Sequence, residues 1–100
     1  MPAQYQVSLT QRARADLHRI YDYIARDSIP NAREFVAKLV KAIMSLHELP
    51  NRHPTYNFRR RNIKGVRRMP LWPYLIYYAV DEKQLAVKVI TIRHGMRHQP

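Results

Sequence analysis

Two groups of residues in this chain have the types and spacing to do chemistry. The first is a run of cations within ten positions: Arg59, Arg60, Arg61, Lys64, Arg67 and Arg68. Charge of this density reads either as a binding surface for something acidic or as an exposed edge strand kept from aggregating by its charge. The second group is the terminal stretch Arg93, His94, Gly95, Met96, Arg97 and His98. It follows an apolar segment directly, so its backbone is anchored at one end. Two arginines, two histidines and a flexible, polarisable methionine offer both charge and apolar grip. The alternative is a frayed terminus. A contact surface built from Arg93, His94, Met96, Arg97 and His98, with Arg67 on a neighbouring strand, is the expected working site.

Other chemistries are narrowed by what the sequence holds. It has no cysteine, which leaves no disulfide framework, zinc-thiolate site or cysteine nucleophile, and fits a reducing cytoplasm. His94 and His98 are four apart, but no helix is signalled there and no carboxylate lies near in sequence, so no metal site is expected. Two glycines do not make a glycine-rich phosphate loop, and no Ser-His-Asp arrangement is visible. No cofactor is expected. Trp72 with Tyr74, Tyr77 and Tyr78 matches the composition of a base-stacking platform, but their strand spacing reads first as core.

The formal charge is +11 on 100 residues, with 18 Lys and Arg against 7 Asp and Glu. It is unevenly spread. Residues 1–48 hold 7 cations against 5 acids, whereas residues 49–100 hold 11 against 2. A basic surface built by the second half predicts attraction to an acidic partner, unless it is simply a solvated face. The opening MPAQYQVSL has no signal-peptide pattern, and no apolar run approaches the ~18 residues of a membrane span, so no membrane association is expected.

The elements that must position these residues follow from periodicity. Residues 4–9 alternate, with Tyr5, Val7 and Leu9 on one face of a short strand. Thr10 caps a helix whose stripe is Ala13, Leu17, Ile20, Tyr21 and Ile24, with Asp16 among the residues placed elsewhere to keep it soluble. The helix stops near Asp27. Ser28, with Pro30 in the first turn, starts a second helix from about Ile29 to Glu48, striped by Ala32, Phe35, Val36, Leu39, Ile43 and Leu46. After the loop LPNRHPTYN come three strands: roughly Phe58–Met69, interrupted near Lys64-Gly65, then Tyr74–Val80, then Leu85–Arg93. The middle one, YLIYYAV, is apolar on both faces and reads as central. Short connections predict antiparallel pairing. One domain over residues 1–100 is expected, of α+β class in the order β-α-α-β-β-β, with a two-helix hairpin packed on a small antiparallel sheet.

Four stretches carry a likeness to a known family: ARADLHRIYDYIARDS with NAREFVAKLVKAIMSLHELP, then GVRRMPL, then PYLIYYAVDEKQLAVKVITI, and finally RHGMR. Together they resemble the ParE/RelE superfamily of bacterial type II toxins, and its ParE-like branch in particular. That branch shows an Arg in the GVR stretch, here Arg67, a central YLI-Y-V strand, and a closing His-Gly-x-Arg, here His94, Gly95 and Arg97. The resemblance implies a cytoplasmic toxin that inhibits DNA gyrase by binding it and is neutralised by a cognate antitoxin. The alternative it carries is a RelE-like endoribonuclease acting on messenger RNA at the ribosome, for which Arg67, Arg93 and His94 are the candidate catalytic residues. Nuclease relatives often carry an Arg where this chain has Leu75 and a Tyr where it has Gly95. A third reading is a nucleic-acid-binding module without toxicity.

Overall fold

The structure, a computed structural model, describes residues 3–56 and 65–96. The expected strand start at Phe58, the cations Arg59, Arg60, Arg61 and Lys64, and the tail residues Arg97 and His98 lie outside the described residues.

The first strand, β1 (Gln6–Leu9), runs into helix α1 (Gln11–Ala25). The Thr10 hydroxyl caps that helix by accepting from the Ala13 amide at 3.0 Å, and it donates in turn to the Ile90 carbonyl at 2.7 Å. Helix α2 (Ile29–Met44) starts at Ser28, whose Oγ accepts from the Asn31 amide at 3.2 Å, with proline tolerated in the first turn. It stops short of the expected Glu48. The chain tightens into a 3-10 turn at Ser45–His47 that still buries Leu46. The Arg52 guanidinium reaches back to the carbonyls of Glu48 at 2.7 Å and Leu49 at 3.2 Å, covering acceptors that a continued helix would have used internally.

Strands β2 (Val66–Leu71), β3 (Tyr74–Asp81) and β4 (Ala86–His94) are antiparallel neighbours, as their short connections require. The sheet order is β1-β4-β3-β2, which makes β3 central. The sheet is nevertheless mixed, not purely antiparallel: β1 pairs with β4 in parallel, Gln6 opposite Ala86 through Leu9 opposite Val89. Both helices and two strands separate β1 from β4, a connection long enough to return the chain in the same direction.

Between Tyr77 and Tyr78 the β3–β4 register slips, because Tyr77 faces Thr91 while Tyr78 faces Val89. The extra residue, Ile90, is a bulge that locally interrupts the ladder. Helix α1 docks there: its cap donates to the Ile90 carbonyl, and six residues on, Asp16 accepts from the Thr91 hydroxyl at 2.6 Å and the Ile92 amide at 2.9 Å. The core lies between this helical layer and the sheet, built from Ala13, Ile20, Leu39, Ile43 and Leu46 against Met69, Ile76, Tyr78, Val87, Val89 and Ile92.

Candidate functional site

Side chains of directly opposed strand residues share a face of the sheet, and successive residues alternate. Met69, Ile76 and Ile92 are in register and belong to the core, so they mark the helix-covered face. Arg67, opposite Tyr78, and His94, opposite Tyr74, lie on that same side. Arg68, opposite Tyr77, and Arg93, opposite Leu75, lie on the other.

The uncovered face therefore gathers cations and aromatics. The Arg68 guanidinium sits 4.7 Å from the Tyr56 ring centroid, the Tyr56 and Tyr77 rings meet edge-on at 5.3 Å, and the Arg93 guanidinium lies 5.9 Å from Tyr77. Rings of this kind hold guanidinium groups through their negative faces. Tyr56 is brought in by a short extension of the sheet: its amide donates to the Val66 carbonyl at 2.6 Å, and Thr55 bridges to Arg67. Lys88, opposite Ala79, adds charge to this side.

Arg67 is used differently. Its guanidinium donates to the carbonyls of His53 at 2.6 Å and Asn51 at 3.3 Å, pinning the segment before Tyr56 against the sheet. The buried Tyr78 hydroxyl donates to the Pro50 carbonyl at 2.6 Å in the same segment. Glu82 closes this corner, accepting from the Tyr5 hydroxyl at 2.6 Å and from Asn51 Nδ2 at 2.7 Å.

His94 occupies the far end of the sheet. Its ring meets Tyr74 edge-on at 5.1 Å, and its Nδ1 accepts from the Met96 amide at 3.1 Å, which leaves the proton of the neutral ring on Nε2. Beside it opens a cleft of about 420 Å³, lined in part by Asp16, Arg19, Tyr23, Arg26 and Tyr74. Arg67 and His94 are thus four residues apart along the strand direction, roughly 13 Å. Arg93 and His94 point to opposite faces. The three residues expected to serve a nuclease do not converge, and the expected contact set divides between Arg67 at one corner and Arg93, His94 and Met96 at the other end. Among the described residues no cluster of His, Asp and Glu could hold a metal ion.

Sequence reasoning passed over two residues. Asp16, placed on the solvated side of α1, is only 4% exposed. Its signal was present, because it lies three residues after Ala13 and four before Ile20, on the buried stripe itself. Trp72, expected in the core with the tyrosines, is 63% exposed, whereas Tyr74, Tyr77 and Tyr78 are buried. Trp72 belongs to the β2–β3 turn, where strand alternation no longer governs direction.

The corner around residues 50–56 carries a pH response. Glu82 is held below its ordinary value of 4.5, first by the Tyr5 hydroxyl and then by Asn51, because both bonds favour the carboxylate. His53 is pushed below its ordinary 6.5 by burial and then by the Arg52 charge, so the fold prefers it neutral. Both shifts are downward. Each stabilising contribution is therefore present above the unfolded-state value and lost as pH falls through the folded one. Acidification should loosen this corner in two steps, His53 responding below pH 6.5 and Glu82 below pH 4.5. Amide exchange of Tyr56 and Arg68 measured from pH 7 to pH 3 checks this; protection that stays flat would count against it.

A two-helix hairpin on a β1-β4-β3-β2 sheet, with a basic aromatic outer face and a basic C-terminal strand end, defines a small α+β toxin fold of the ParE/RelE superfamily. The sequence profile of the ParE toxin of the type II toxin-antitoxin system, parDE, matches residues 7–99, and the chain belongs to that family. Among solved structures it is similar to the chromosomal ParDE TA system from P. aeruginosa, at 24% identity and a TM-score of 0.70, covering 91% of this chain and 96% of that one. It is also similar to the toxin-antitoxin complex RelBE2 from Mycobacterium tuberculosis, at 25% identity and a TM-score of 0.66, covering 92% of each. The intact E. coli RelBE toxin-antitoxin complex shares 17% identity at a TM-score of 0.51, over 93% of this chain and 99% of that one. The first and last of these likenesses speak to the fold alone. No curated protein matches the sequence closely. No described helix is long and apolar enough to cross a membrane.

Proposed function

We infer that this toxin acts by binding DNA gyrase, without cutting nucleic acid, and that a cognate antitoxin holds it in check. The observation that carries the reading is the ParE profile match over residues 7–99. The geometry supports a binder over a nuclease. In-line cleavage at a ribose 2′-hydroxyl needs a base, a phosphate stabiliser and an acid around one phosphate. Here His94 is on the helix-covered face, Arg93 is on the other, and Arg67 is bonded to loop carbonyls. The antitoxin reading is supported by the RelBE2 complex among the similar structures and by the acid-poor second half of the chain.

Expression in a host without the antitoxin should arrest growth, and the purified chain should inhibit supercoiling by gyrase. Ribosome programming assays should show no new cleavage products. Cleavage mapped to the ribosomal A site, with supercoiling intact, would overturn the reading in favour of the ribosome-directed endoribonuclease.

A further inference from the structure

We propose that Trp72, seated on Gly95 with Met96 the next residue in the chain, is an apolar anchor that inserts into a recess on the protein the toxin acts upon, within an acidic rim. The inference rests on the reading of this chain as a toxin that works by binding a protein. Single exposed apolar residues are ordinary on protein surfaces. Trp72 is not an ordinary case, for three reasons that are independent of one another.

First, its position is fixed by complementarity. A Cβ at residue 95 would stand 2.7 and 2.8 Å from the indole carbons Cζ3 and Cη2, so the ring occupies the space that every other amino acid would fill. Gly95 is outside the left-handed region, where only Gly65 lies among the described glycines. Its lack of a side chain answers first to the indole and then to the Pro73 carbonyl, 3.3 Å from the same Cβ, and not to its own φ. Second, the seat is tied down. The Gly95 amide donates to the Pro73 carbonyl at 2.7 Å, linking the end of β4 to the β2–β3 turn directly beneath the ring. The anchor is therefore held in place before any partner arrives, which reduces the ordering cost of binding. Third, its neighbours have the composition of an interface centre. Met96 is 76% exposed, the highest of the large apolar side chains described, and Trp72 is 63% exposed. Tyr23, also exposed, lines the cleft beside His94 with Arg19 and Arg26 and with Asp16 and Asp22. Tryptophan, methionine, tyrosine and arginine are the types enriched where protein surfaces meet.

The charge around the anchor selects the partner's chemistry. Arg93 precedes His94 on the strand that delivers the seat, and the chain as a whole carries +11. An acidic rim would be steered toward it, whereas a basic or purely apolar surface would not. Methionine supplies neither a phosphate donor nor a flat stacking surface, which favours a protein recess over a nucleic acid.

Trp72 is the only tryptophan in the chain, so a chain grown with 5-fluorotryptophan gives one fluorine resonance. That resonance should move on addition of gyrase and stay in place with duplex DNA alone. Trp72→Ala should melt within a few degrees of the parent and keep its antitoxin affinity. Its potency in growth arrest should fall about 30-fold, the scale of a hot-spot truncation. Met96→Ala should fall in the same direction by less. Undiminished arrest by Trp72→Ala overturns the anchor. So does a selective loss of antitoxin binding, which would make the patch an antitoxin contact, and so does a resonance that moves with DNA alone, which would make it a stacking platform. If the parent chain arrests growth but leaves supercoiling untouched, the gyrase reading fails by itself, and the arrest potency of Trp72→Ala still decides the anchor. A parent chain that does not arrest growth ends both.

Discussion

Replacing Asp16 with alanine should lower the unfolding free energy by about 2–5 kcal/mol, the scale expected when two buried donors lose their shared acceptor. The carboxylate is nearly sealed, at 4% exposure, and every lone pair it turns inward is used. Oδ2 accepts from the Thr91 hydroxyl at 2.6 Å and the Ile92 amide at 2.9 Å, while Oδ1 faces the Arg19 guanidinium and lies 3.5 Å from Arg12 Nε. The two arginines are largely in water, so the ion pairs contribute little by themselves. The cost comes from the sheet side. Next to the β4 bulge, the Ile92 amide is taken by Asp16. Alanine would leave that amide and the Thr91 hydroxyl buried and unmatched. Against a typical domain stability of ~5–15 kcal/mol this is a large fraction. Denaturant unfolding of Asp16→Ala, Thr91→Val and the double variant provides the check. A single Asp16→Ala loss below about 1 kcal/mol, or strict additivity with Thr91→Val, would show that the network does not hold α1 to the sheet.

Helical and strand periodicity made most of this architecture legible. The Thr10 and Ser28 caps, both apolar stripes and the central, doubly apolar β3 are local signals that burial then rewards. What escaped the sequence is non-local. The parallel pairing of β1 depends on where the chain returns after two helices, and no residue in QVSL records it. The inward role of Asp16 depends on a bulge in a strand 75 residues away. Arg67 carried the right residue type for a contact surface, yet the carbonyls of Asn51 and His53 reach its guanidinium within the chain. Of the expected contact residues, Arg93, His94 and Met96 lie at one end of the sheet. Trp72, which shares that end, could not be assigned there from a strand pattern, because it sits in the turn and its seat is a glycine 23 positions later.

That glycine yields the second large effect. Gly95→Ala should destabilise the chain by about 1–3 kcal/mol, the usual cost of forcing an extra group into an occupied space. The φ at residue 95 would accept alanine, and apart from the indole a Cβ there meets the Pro73 carbonyl at 3.3 Å, so most of the penalty should disappear when the ring is removed: in a Trp72→Ala background the same substitution should cost about 0.5 kcal/mol. The resulting coupling identifies the indole as the reason for the glycine. Gly95→Tyr extends the argument to function. The resemblance associates a tyrosine near this position with RNA-cleaving relatives, but here its Cβ alone would stand 2.7 Å from the indole. The tyrosine can enter only by expelling Trp72. It should not create a nuclease, because Arg93 and His94 would still face opposite sides of β4. Gly95→Tyr should therefore show no cleavage of ribosome-bound messenger RNA while losing growth-arrest potency to about the level of Trp72→Ala. Thermal melting, RNA integrity and arrest potency measured side by side on Gly95→Ala, Gly95→Tyr and Trp72→Ala decide it. A Gly95→Tyr chain that cleaves RNA, or one that keeps full potency with Trp72 displaced, would show that the glycine and the indole are not the paired device the geometry describes.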